Sequence, residues 1–336
     1  MLPSTPQDDD RDPWGPDLSR EIARLPRERA SARVPGAVDT ARDRAEEPGE
    51  GDEDEIEEIE IVPVRRQLSL AIAGFAALLA VGLILGAQTS GPDTRIPYAI
   101  VSFGVQLLFV LAWTMAMRPP AMIAVAAVCL LAGAFGDYLA VTTEPARLLP
   151  LAYVAVPASV VALIAQTFRA ADRRRLREAL GTTLVLVLGT MAFSSLVLLT
   201  RKPTGTQALL VCLAAAGVAL VVGRLVDAFF AKPRIAAQVP RGASGVILGA
   251  MLGTLAAGAL GSVLVRPFDP AKGAVLGVVV AGLAVVADLG VDFAEAGRET
   301  AGDAPTFWLA RHMQGPLGAF ALASAAAYAL TIFYLT

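Results

Sequence analysis

Four carboxylates, Asp288, Asp292, Glu295 and Glu299, follow one another at spacings of four, three and four residues. On an α-helix that spacing sets all four on one stripe. Like charges in a row repel, so the stripe needs positive charge beside it. A hard cation is one remedy: Mg²⁺ takes carboxylate oxygens and keeps waters for a phosphate substrate, with Asp288 and Asp292 as its ligands. Neutralisation by Lys232, Arg234, Arg241 and Arg298 is the other. Lys232, Arg234 and Arg241 share a segment with Pro233 and Pro240. Its three cations suit a phosphate or an anionic lipid head group, and equally suit the ordinary surplus of basic residues on the inner side of a membrane. Arg224 and Asp227, three apart, share a helix face on which they can pair. Asp137, next to Tyr138, reads as an interfacial, solvated acid. The basic cluster Arg169, Arg173, Arg174, Arg175 and Arg177 suits anionic lipid or an acidic segment of the same chain.

Other chemistries have little to draw on. Two cysteines, Cys129 and Cys212, both in apolar runs, and one histidine, His312, make neither a Cys/His zinc site nor a disulfide framework. No P-loop and no Gly-x-Gly-x-x-Gly following a strand occurs, and no basic surface interleaved with aromatics points to nucleic acid as a partner.

The elements that must position these residues are membrane-spanning helices. Of 336 residues 55% are hydrophobic, 30 are Gly, and the mean hydropathy is +0.59, more apolar than the core of a soluble domain requires. Charge is divided unevenly: residues 1–66 carry 10 Lys/Arg against 19 Asp/Glu, residues 67–336 carry 18 against 12. Residues 1–62, rich in Pro, Asp, Glu and Arg, bury too little apolar surface to offset the entropy of ordering and are expected to form a disordered acidic tail. Residues 63–336 form the expected transmembrane domain. Nine apolar runs lie near 67–88, 96–117, 121–141, 148–168, 180–200, 206–230, 243–265, 271–293 and 315–335, each long enough to cross a hydrocarbon core about 30 Å thick. They are continuous rather than alternating, which favours helices over a barrel. The expected fold is therefore all-α and polytopic. With the tail inside, thirteen basic residues flank the cytoplasmic ends of the runs and six the external ends, which orients the N-terminus to the cytoplasm and the C-terminus outward in a cell membrane. Gly245, Gly249, Gly253 and Gly258, then Gly273, Gly277 and Gly282, predict close packing of the seventh and eighth helices.

Over residues 150–336 the order of features resembles the phosphatidate cytidylyltransferase (CDP-diacylglycerol synthase) family. Phe230-Ala231-Lys232 is similar to that family's Phe-Gly-Lys, and Val239-Pro240-Arg241-Gly242-Ala243 to its Ser-Pro-Lys-Lys-Thr. Ala287-Asp288-Leu289 is similar to Gly-Asp-Leu, whose Asp is a metal ligand, while Asp303 and His312 fall near Lys-Asp and Gly-His-Gly-Gly. The resemblance implies a polytopic enzyme joining CTP to phosphatidate with release of pyrophosphate. Asp288 and Asp292 would hold Mg²⁺, and Lys232, Arg234 and Arg241 would bind phosphates. CTP, phosphatidate and the phospholipid membrane are then the partners, with a homodimer among the assemblies open to it. The chain departs from the family after His312, where Met313-Gln314-Gly315-Pro316 replaces Gly-Gly-x-x and the following acid-Arg-x-acid is absent. The Asp-x-Gly-Ala-Tyr expected near Leu220–Gly223 is absent too. A two-metal mechanism needs ligands from more than one element, so a catalytically degenerate member is expected. The alternatives are a non-catalytic lipid-binding or scaffold protein that recruits partners through its acidic tail, or a transporter.

Overall fold

The computed structural model describes residues 63–89, 94–168, 173–302 and 307–335. The chain divides into two units, 1–56 and 57–336, and every described residue belongs to the second. The acidic tail, Arg169 and Asp303 lie outside the described residues, as do the side chains of Arg173, Arg174 and Arg175.

Among the described residues nine helices are long and apolar enough to cross a membrane. They are α1 (Arg66–Gln88), α2 (Ile96–Met117), α3 (Met122–Thr142), α4 (Leu149–Thr167), α5 (Arg173–Leu199), α6 (Gly205–Phe229), α7 (Ala243–Val263), α8 (Pro270–Thr300) and α9 (Trp308–Leu330). The described chain is thus an all-α, polytopic integral membrane protein, since a helix bonds its own backbone internally where lipid offers no partner. Local signals set several helix ends. Asp269 caps α8 by accepting a hydrogen bond from the Lys272 backbone N–H at 2.7 Å, with Pro270 in the first turn. Arg118 closes α2 in the left-handed conformation, φ 44°, ahead of Pro119 and Pro120.

Hydropathy placed three ends too far inward. The fifth helix begins at Arg173 rather than near 180, α8 runs to Thr300 rather than 293, and α9 starts at Trp308 rather than 315. A window of apolarity registers only the lipid-embedded part of a helix. With 31 residues, α8 is about 46 Å long at 1.5 Å per residue, well beyond a hydrocarbon core of about 30 Å. The polar last turns of α8 and first turns of α9 stay helical and are tied together by ion pairs of Arg311 with Glu295 and Glu299.

Two groups of helices meet at α9. One is α6 packed on α1, α7 and α8; the other is α2, α3, α4 and α5. Helix α9 touches α6 and α8 on one side, α2 and α5 on the other. The interior belongs to α5 and α6, whose spans are 78% and 61% buried, while α7, at 22%, presents most of its surface outward. Close approach of α7 is bought by glycine: a Cβ at Gly249 or Gly253 would stand 2.5 Å from the carbonyl oxygen of Ala219 or Ala215 on α6. Gly277 of α8 is equally tight, 2.6 Å from the Cβ of Ala257. Gly282 departs from the expected pattern, having no neighbour within 4 Å of its would-be Cβ.

Candidate functional site

Threading of consecutive helices brings the start of α1, the end of α6, the α6–α7 connection, the end of α8 and the start of α9 to one face of the bundle. Just below that face five charged side chains from three elements converge. Arg224 of α6 donates through Nε to Asp288 Oδ2 at 3.0 Å and through Nη2 to Asp288 Oδ1 at 2.7 Å, a bidentate pair. The same Nη2 reaches Asp292 Oδ1 at 3.2 Å. From the connection, Arg241 Nη1 donates to Asp288 Oδ2 at 2.5 Å and Asp292 Oδ2 at 3.2 Å. Its Nε lies 2.7 Å from Asp227 Oδ2, an ion contact without hydrogen-bond alignment. Asp227 Oδ1 in turn accepts the backbone N–H of Gly242 at 2.9 Å, fixing the turn into α7.

Water is nearly excluded: Asp288 is 0% exposed, Asp227 and Arg241 1%, Arg224 5%. Charges so buried persist only when paired and hydrogen-bonded, and glycine makes the close pairing sterically feasible. A Cβ at Gly315 of α9 would strike Asp288 Oδ1, and one at Gly245 of α7 would strike Asp227 Oδ1. Three carboxylates against two guanidiniums leave one excess negative charge. Asp292, its side chain 14% exposed, carries the cluster to the wall of a cavity of about 350 Å³. Arg65, Arg224, Glu295, Glu299, Trp308, Arg311 and His312 also line this cavity, and the ring of Trp308 meets His312 edge-on, with centroids 5.1 Å apart.

The expected residues are sorted by this geometry. Asp288, Asp292 and Arg241 come together; Lys232 is exposed and outside the cavity lining, and Arg234 pairs in an isolated bridge with Gly242. Arg224 and Asp227 share a helix face as expected, but each takes its close partner from another element, Arg224 from α8 and Asp227 from the connection. The stripe divides into two pairs: Asp288 and Asp292 face Arg224 and Arg241, Glu295 and Glu299 face Arg311. Arg298 turns aside, to the Ala116 carbonyl of α2 at 3.5 Å. Asp137 is the plainest correction, because it is 4% exposed within α3 rather than solvated at the interface. Arg311 had no assigned role in the sequence because hydropathy starts the last helix after it.

Both oxygens of Asp288 already accept guanidinium donors, and among the described residues no group of three or more His, Cys, Asp or Glu is disposed to hold a metal ion. A Mg²⁺ at Asp288 would compete with two guanidiniums for the same oxygens. Comparison with family models, characterised proteins and solved structures finds no match for the chain.

Proposed function

We propose that this chain is a non-catalytic phospholipid-binding membrane protein, built on a plan like that of the phosphatidate cytidylyltransferases but with arginines where those enzymes keep metal. One observation carries the reading: Asp288, the ligand position implied by the resemblance, is fully buried and held on both oxygens by Arg224 and Arg241. A phospholipid head group is the ligand that suits the neighbouring cavity. Arg65 and Arg311 supply cations for its phosphate, and Trp308 supplies an interfacial aromatic face. Arg241, saturated by three carboxylates and 1% exposed, is structural in this reading rather than a phosphate ligand.

The test is purified protein given CTP, phosphatidate and Mg²⁺, with pyrophosphate release and CTP binding measured beside an Asp288→Asn variant. Equal background in both proteins and CTP binding indifferent to Mg²⁺ are expected, together with phospholipid retained through purification. Turnover that Asp288→Asn abolishes, in a variant that remains folded, overturns the proposal in favour of an active cytidylyltransferase. That second reading draws support from the convergence of Arg241, Asp288 and Asp292 at one membrane face.

A further inference from the structure

A second polar centre lies in the other group of helices, between α2, α3 and α5. Asp137 of α3 is its only carboxylate, and among the described residues no Lys, Arg or His lies within ion-pair distance of it. Gln106 of α2, 0% exposed, donates through Nε2 to Asp137 Oδ1 at 3.0 Å and Oδ2 at 3.2 Å. That nitrogen also lies 3.1 Å from Ser194 Oγ of α5 and 3.4 Å from Ser102 Oγ of α2. An amide nitrogen carries two hydrogens, yet four oxygens crowd it. Ser102 directs its own hydroxyl to the Phe193 carbonyl at 3.2 Å. Two amide hydrogens are thus shared among four oxygens beside the carboxylate.

Two further buried atoms are left without a hydrogen-bond partner, the Tyr98 hydroxyl and Gln106 Oε1. Tyr98 is 0% exposed and shares a face of α2 with Ser102 and Gln106, at spacings of four. Two arginines bonded at the end of α3 are engaged with its carbonyls. Arg201, following α5, donates to the carbonyls of Ala140 and Thr143 at 2.9 and 2.6 Å and pairs with Glu144 at 3.4 Å. Arg95 reaches the Val141 carbonyl at 3.4 Å. Both satisfy the orphan carbonyls at the end of α3. Helix α4, also packed on α3, contributes only Tyr153, which is exposed, and α3 itself adds the buried thiol of Cys129.

An ionised carboxylate at membrane depth without a cation is costly, and such residues characteristically serve as proton-binding groups. We propose that Asp137, caged by Gln106, Ser194, Ser102 and Tyr98, is a reversible proton-binding site within the membrane, the proton supplying both the missing positive charge and the missing donor. Proton binding changes the charge of the α2–α3–α5 interface by one unit, independently of the arginine–aspartate cluster.

Infrared difference spectroscopy on the full chain in lipid nanodiscs tests this. Expected is a protonated-carboxyl C=O band at neutral pH that shifts in D₂O, disappears at alkaline pH, is absent from Asp137→Asn and is unchanged when Na⁺ replaces choline. Gln106→Leu, which removes the amide donor 3.0 and 3.2 Å from the two carboxylate oxygens, should raise the midpoint of the band's loss by about one pH unit, tenfold in proton affinity. No pH-dependent carboxyl band sensitive to Asp137→Asn, a band abolished by Na⁺, or an unmoved midpoint in folded Gln106→Leu overturns the proposal.

Discussion

Replacing Arg224 with leucine removes the bidentate partner of Asp288 and one of the two guanidiniums near Asp292. Asp288 then keeps only Arg241, which is already shared with Asp227 and Asp292, and the cluster's excess negative charge rises from one to two. Losing one partner of a buried pair costs about 3–5 kcal/mol, and the 0% exposure of Asp288 puts this variant at the upper end. The double variant Arg224→Leu/Asp288→Leu returns the excess to one, with Arg241 still facing Asp227 and Asp292. It should recover at least about 2 kcal/mol of the loss, a coupling within the range measured for residues in contact. Unfolding in mixed micelles can be followed through tryptophan fluorescence, since Trp113 is packed on Phe109 with ring centroids 5.0 Å apart. A single-variant loss under about 1 kcal/mol, or effects that simply add in the double variant, would show that the pairing contributes little beyond a surface salt bridge and would refute the reasoning.

Glycine substitutions should separate by position: Gly315→Ala and Gly245→Ala, whose methyls meet Asp288 and Asp227, should each cost about 1–3 kcal/mol. By contrast Gly290→Ala and Gly297→Ala, with open space around them in α8, should be neutral or stabilising by up to about 1 kcal/mol in the same unfolding assay. Arg311→Gln should free Glu295 and Glu299, speed hydrogen exchange over the last turn of α8, and weaken phospholipid retention, read by native mass spectrometry, about tenfold, the equivalent of roughly 1.4 kcal/mol. Single cysteines at Lys232 and Glu299 should label with an impermeant maleimide from one side of the membrane and cysteines at Glu144 and Lys202 from the other. The buried Cys129 and Cys212 should stay unlabelled; labelling of positions 232 and 299 from opposite sides contradicts the shared face.

The number and kind of spans were legible in the linear chain because each span is a local property: about 20 consecutive apolar residues register in hydropathy whatever their neighbours do. The glycine pattern over 245–253 and 273–277 was legible for a related reason, since close helix packing requires small residues at regular spacing. Gly282 shows the limit, as composition cannot say which face of α8 meets α7. Partner choice was also out of reach. Arg224 and Asp227 look like a pair at a separation of three, yet Arg224 bonds Asp288, 64 positions away. Asp137, five residues from the end of its helix, looked solvated because sequence shows depth along one helix and nothing of the helices around it. Burial and ion pairing are decided by non-local packing, so only the tertiary structure determined which of the scarce charges neutralise one another and that Asp137 is buried with no described cation paired to it.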